Sequence, residues 1–198
     1  VLIGSFGSQD WRDLACSRAL PSAAAQTDRI RIFHDPEGTV ASVRNELARQ
    51  SSADYLCFLD ADDQLAPGFL AAMDEAARTG AWAGGKTLFT PRVSYVSTGG
   101  REEEPKFWPE CSLTTGNWLV IGTLVPRRLF LDVGGFEEWA IYEDWALWGR
   151  CWKAGAEIVQ VPDAIYLAHR KRGVTRNHAL RRKDLLRVYH EIQQEVFG

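Results

Sequence analysis

The sequence predicts an α/β fold: a Rossmann-like, mostly parallel central sheet flanked by helices, with a smaller second region. Three observations predict it. Short apolar runs alternate with helical periodicities through the first 80 residues, the pattern of a parallel sheet covered by crossover helices. The run Tyr55–Leu59 is apolar throughout, as a strand buried on both faces must be. Acidic residues then gather directly after the strand ends, where ligands bind in such sheets.

Taken in order, Val1-Leu2-Ile3 reads as a buried strand ended by Gly4 and Ser5, followed by a helix from about Trp11 to Ala25. Arg29–Phe33 alternates polar and apolar residues and predicts a second strand, closed by the turn cluster His34-Asp35-Pro36-Glu37-Gly38. Val40, Val43, Leu47 and Ala48 recur at helical spacing, and Pro67 opens a helix running to about Arg78. The second half is less regular. Strands are expected at 86–89, 93–96 and 118–125, with a loop at 99–110. Helices are expected at 128–133 and 143–154. A closing helix begins near His178, with Leu185, Val188, Tyr189, Ile192 and Val196 on the face that packs against the domain. The division expected is 1–98, 99–177 and the closing helix at 178–198, all within one continuous domain.

Composition narrows the function. The 198 residues are 45% hydrophobic and 25% charged, ordinary for a globular chain. The net charge of -3 does not suit a surface built to neutralise a nucleic-acid backbone. Basic residues nonetheless concentrate between His169 and Arg187, where eight Lys or Arg face only Asp184, which suggests a local anion such as a diphosphate. Cys16, Cys57, Cys111 and Cys151 are widely spaced and propose neither a zinc site nor a redox pair. A reducing, cytoplasmic setting is the expectation.

The sharpest motif is Asp60-Ala61-Asp62-Asp63. Three carboxylates within four residues repel one another unless a cation sits among them. Hard oxygen donors with no Cys favour Mn2+ or Mg2+, although the same residues also suit a solvated acidic turn ahead of the Pro67 helix. The second motif runs from Gly134-Gly135-Phe136 to Glu143-Asp144-Trp145. Asp144 has two explanations, a helix N-terminal acid and a general base that removes a proton from an acceptor hydroxyl. Trp145 and Trp148 are expected in the core, whereas Trp108, beside Phe107 and Pro109, suits stacking against a ligand.

Together these motifs resemble family 2 glycosyltransferases of the GT-A fold, from Val1 to about Asn177. Ser5-Phe6 resembles the pair that touches the nucleobase, and Asp35 matches an acid that contacts the base. Arg44-Asn45 stands in the family's Ala-Arg-Asn segment. Phe58 through Asp63 resembles the donor and metal motif, and Tyr166–His169 resembles a late segment whose His joins the metal. Gly4, Gly7 and His34 depart from the family's usual Pro, Asn and acid, which bears on the nucleobase recognised.

The resemblance implies a metal-dependent, inverting transfer from a nucleotide-diphosphate sugar, with UDP as the carrier, to an acceptor hydroxyl. Asp144 is then the base. Asp62, His169 and Asp60 hold Mn2+ or Mg2+. Ser5, Phe6, Asp35, Arg44, Asn45, Asp60, Ala61, Asp63, Arg170 and Arg176 bind the donor. The acceptor is left open among glycan, protein, lipid-linked saccharide, small molecule and modified DNA, and a homo-oligomer is compatible. Two rivals stand beside this. A nucleotidyltransferase would need a Gly-rich phosphate loop, of which Ser5-Phe6-Gly7-Ser8 is a poor version. A catalytically silent carbohydrate-binding or scaffolding relative would have no use for Asp60, Asp62 and Asp144 together.

Overall fold

The computed structural model describes residues 1–80, 85–108, 112–170 and 181–198. Strand β1 (Leu2–Phe6) leads into α1 (Gln9–Leu14), a π-helical segment (Ala15–Ala19) and α2 (Leu20–Ala24). Then come β2 (Arg31–Asp35), α3 (Val40–Gln50), β3 (Tyr55–Leu56), β4 (Phe58–Asp60), β5 (Gln64–Leu65) and α4 (Phe69–Gly80). The second half holds β6 (Thr87–Val96), β7 (Val125–Pro126), α5 (Arg127–Asp132), α6 (Glu143–Lys153), β8 (Glu157–His169) and α7 (Arg182–Phe197).

The first sheet has the order β2-β1-β4, all parallel. After β1 the chain winds to one side to form β2, then returns to the other side to form β4. This reversal opens a crevice beyond the carboxyl ends of β1 and β4, the place where open α/β sheets bind ligands. Ser5, Phe6 and Asp60 stand at those ends. Helix α3 covers β1 closely because Gly4 has no side chain: a Cβ there would lie 2.7 Å from Val43 Cγ1. Thr39 caps α3 with a capping box, its hydroxyl accepting from the Ser42 amide while Ser42 Oγ accepts from the Thr39 amide.

A second sheet, β5-β8-β6, builds the opposite wall, with β8 parallel to β6 and antiparallel to β5. Strand β8 was not expected from the sequence. Pro162 and Asp163 interrupt its apolar pattern, but the register shifts at Pro91/Arg92 of β6, and such an irregularity accommodates proline within a ladder. The same shift lets β6 run unbroken through Pro91, where two separate strands were expected. Expected strand 118–125 is largely irregular. Only its end pairs, Val125 in β7 with Leu56, and Leu124 with Phe89 in a bridge. Of the expected loop at 99–110, the described part, 99–108, turns back along β6, its bridges joining Val96 to Glu102 and Val93 to Lys106.

The core joins both halves. Trp145, Trp148, Tyr166, Phe58, Phe69, Phe89 and Phe130 are its largest fully buried side chains. Cys57, Trp145 and Trp148 are core residues, as expected. The apolar face of α7 packs on α6, with Trp145 stacked on Tyr189 at 5.0 Å and tilted against Phe197 at 5.6 Å. Among the described residues no helix is long and apolar enough to cross a membrane.

Gly122 marks a tight point in this core, since a Cβ there would drive into the Tyr166 ring. Gly122→Ala is expected to cost about 1–3 kcal/mol through overpacking, read as a lowered denaturant midpoint. A midpoint equal to that of the parent would show that the ring has room to yield.

Candidate active site

A cleft of about 930 Å³ opens at the crevice between the two sheets. Its donor-side wall carries Gly4, Ser5, Phe6, Arg44 and residues Asp60–Asp63; its far wall carries Asn117, Tyr142, Glu143 and Asp144. Tyr95 and Trp108 form a third side. Trp11 and Trp108 lie at this cleft with 39% and 40% of their surfaces exposed, large apolar faces left open beside a polar site.

The acids of the Asp60–Asp63 turn serve different ends. One ligand oxygen from each of Asp60, Asp62 and Asp63 lies within 4.8 Å of the others, and this is the only such grouping among the described residues. Asp63 is buried and anchors the turn to β8. Its Oδ2 accepts from the Tyr166 hydroxyl at 2.9 Å and its Oδ1 from the His169 amide at 2.8 Å. Burial first, then the charges of Asp60 and Asp62, hold its carboxyl well above the ordinary range. Asp60 is fixed from two sides, its amide donating to Tyr166 Oη at 3.3 Å and its carboxylate accepting from Arg44 at 2.5 Å. Arg18 donates to the Asp62 carbonyl at 2.9 Å. The donor set is all hard oxygen, and three carboxylates this close repel one another in a way that a divalent cation would relieve. The residues fit Mn2+ or Mg2+.

Arg44 ties the two walls together. Besides Asp60, it donates to Glu143 at 3.0 Å, its guanidinium lies 4.9 Å from the Phe136 ring centre, and its side chain is only 8% exposed. Burial alone would lower its pKa, but Asp60 and Glu143 more than offset that and hold it charged. Neighbouring Asn45 accepts from the Phe136 amide and donates to its carbonyl, both at 2.8 Å, which docks the Gly134-Gly135-Phe136 segment onto α3. Gly135 must be small here, because a Cβ would lie 2.5 Å from Asn45 Oδ1. Replacing Arg44 by Met would remove the buried cation that bridges Asp60 and Glu143. A loss of about 3–5 kcal/mol is expected in denaturant unfolding, and a variant as stable as the parent would contradict the bridge.

Asp144 is the second residue of α6, whose N-cap Tyr142 has a φ of 63°, the only left-handed value at a non-glycine among the described residues. Such backbone strain is characteristic of sites that must aim a side chain. Asp144 accepts from Asn117 Nδ2 at 2.9 Å and from the Trp145 amide at 2.8 Å. Burial, then the adjacent Glu143 charge, pushes its pKa up to about 6, within the range suited to a base near neutral pH.

Ser5 is buried and hydrogen-bonded to His34 Nδ1 at 3.0 Å. Phe6 lies at the cleft with Asp35 beside it in register, and Asp35 Oδ1 accepts from the Glu37 amide at 3.1 Å. His169 and Arg170 line a smaller neighbouring pocket with Arg18. The His169 ring bonds Gln64 Oε1 at 2.7 Å, Arg170 pairs with Glu103 at 2.8 Å, and neither belongs to the acidic group. Arg176, Lys171 and Arg172 lie outside the described residues. Asn117, Tyr95, the anchoring role of Tyr166 and the Arg44–Glu143 link were not expected from the sequence.

The alternation of strands and helices and the acid-lined crevice define the class: the chain has the GT-A fold. Residues 16–110 match the model of glycosyl transferase family 2. No curated protein matches it by sequence. Among solved structures it is similar to S. aureus TarS 1–349 in complex with UDP-GlcNAc, at TM-score 0.70 and 15% identity, covering 96% of this chain and 65% of that one. It is similar to the same protein in complex with UDP, at TM-score 0.66 and 14% identity over 96% and 64%. The chain thus spans just under two thirds of those relatives, and at such identity the likeness is one of fold.

Proposed function

We propose that the chain is a metal-dependent, inverting glycosyltransferase acting on a nucleotide-diphosphate sugar, with UDP as the carrier, and on an acceptor hydroxyl. The observation that carries this is the cleft itself: the acidic turn at Asp60–Asp63 faces Asp144 across it, with Arg44 bonded to Asp60 on one wall and Glu143 on the other. The divisions 1–98 and 99–177 correspond in this proposal to the donor and acceptor sides of that cleft, and 178–198 to the helix behind the acceptor side.

Asp62 and Asp60 would hold the divalent ion, which when bound supplies positive charge against the donor diphosphate. Asp63 keeps the turn in place. Phe6, with Ser5 and Asp35 at the strand ends, receives the nucleobase. Asp144 accepts the proton of the acceptor hydroxyl. The acceptor oxygen bonds to the anomeric carbon as the bond from that carbon to the diphosphate oxygen breaks, and its electron pair leaves with the nucleotide. One displacement with one base inverts the anomeric centre. Trp108, edge-on to Tyr95 at 6.1 Å, offers a wall for the acceptor.

TarS is described in complex with UDP-GlcNAc, which makes that compound a rational first probe. With manganese present and water as acceptor, release of UDP is expected, and NMR of the sugar first released should show the β-anomer from the α-linked donor. Release of the α-anomer would rule out a single displacement. Failure to consume any UDP-hexose would overturn the transferase proposal.

A further inference from the structure

We infer that Asn117 is a positioning residue for Asp144, held at its station by the C-terminal helix α7 through the loop at 112–119. The inference rests on the proposal that Asp144 is the base.

The Asn117 amide has a fixed orientation. Its Oδ1 accepts from the Leu119 amide at 3.1 Å, a donor that only the oxygen can serve. The NH2 end therefore faces Asp144 and donates to Oδ2 at 2.9 Å. The other carboxylate oxygen, Oδ1, is taken by the Trp145 amide. Both oxygens are thus located, beside the cleft that Asn117 and Asp144 line together.

The loop bearing Asn117 has little regular structure of its own, so its place must be set from outside. Three successive carbonyls are held by three side chains. Leu113 O accepts from Trp145 Nε1 at 2.7 Å, Thr114 O from Gln193 Nε2 at 2.9 Å, and Thr115 O from the Tyr189 hydroxyl at 3.0 Å. Gln193 also donates to Tyr189 Oη at 3.1 Å, and the Tyr189 ring stacks on Trp145. Trp145 follows Asp144 in the chain. One block, made of α7 and the first turn of α6, therefore fixes both partners of the Asn117–Asp144 bond.

A donor aimed at a carboxylate favours its charged form. The other groups facing Asp144 are Glu143 on its own helix, Arg44 from α3 and Asp60 from β4. The acids oppose ionisation and Arg44 favours it, so Asn117 works with Arg44 to keep the base available near neutral pH.

The test uses the whole chain as Asn117→Ala, Asn117→Asp and Gln193→Ala, with Asp144→Asn to assign the Asp144 signal in carbon-13 NMR titration of the aspartate carboxyls. Hydrolysis of UDP-GlcNAc is followed against pH, and UDP affinity is measured alongside. In Asn117→Ala the Asp144 midpoint should rise by about one pH unit. The acid limb of turnover should move with it, so that kcat falls about tenfold well below the limb and about twofold at pH 7, with UDP affinity unchanged. Gln193→Ala should shift the same quantities less, and Asn117→Asp, which adds a carboxylate, should shift the midpoint further. A midpoint and limb unmoved in Asn117→Ala, with Asp144→Asn inactive, would overturn the positioning role alone. Wild-type turnover in Asp144→Asn would remove the base assignment, and with it the catalytic meaning of Asn117.

Discussion

Asp144→Asn is expected to lower transfer about a thousandfold while leaving UDP binding as it was. The substitution keeps the shape of the side chain and removes its capacity to take a proton, and a positioned general base contributes about 10²–10⁴ in rate. Nucleotide binding should survive because the donor-side residues contact α3, β4 and β8 rather than Asp144. In the parent, turnover should rise with pH through about 6, the value to which burial and Glu143 push this carboxyl. The sign follows from the role: below that pH the base is protonated and idle, and above it the base is ionised. A rate profile without that limb, or an active Asp144→Asn, would return Asp144 to the part of a helix-opening acid.

Asp62→Ala is expected to abolish the dependence of nucleotide affinity on manganese while leaving the fold intact. Neighbouring Asp63 would not behave this way, since both of its oxygens anchor β8 and its loss would loosen the turn. Asp62 meets Arg18 through its backbone carbonyl, a contact that the substitution spares. Electron paramagnetic resonance of manganese checks this directly. Free-ion signal should disappear on adding the parent with UDP and persist with Asp62→Ala. Equal uptake by both proteins would move the ion away from Asp62.

Much of the donor side was legible in the sequence because its information is local. A buried strand followed at once by Asp60-Ala61-Asp62-Asp63 places the acids at a strand end, and α3 declares itself by apolar spacing. The rest depends on contacts between distant segments. Arg44 meets Glu143 across 99 positions and Tyr166 meets Asp63 across 103, distances over which no spacing rule operates. Asn117 sits in Thr114-Thr115-Gly116-Asn117, a cluster whose plain meaning is a turn. Strand β8 was hidden by Pro162 and Asp163, and the continuity of β6 by Pro91. Both are tolerated by the register shift that the two strands share, a property of the pair that neither segment reveals alone. Asn45 illustrates a different limit: the motif marked the residue, but its amide is spent docking Phe136.

The central claim is that the crevice between the sheets holds a nucleotide diphosphate through a divalent ion. Calorimetric titration of UDP into the protein, first with manganese and then with excess chelator, tests it most directly. One UDP per chain should bind with manganese, and the affinity should collapse with chelator. Failure to bind UDP in either condition, or binding indifferent to the chelator, would contradict it.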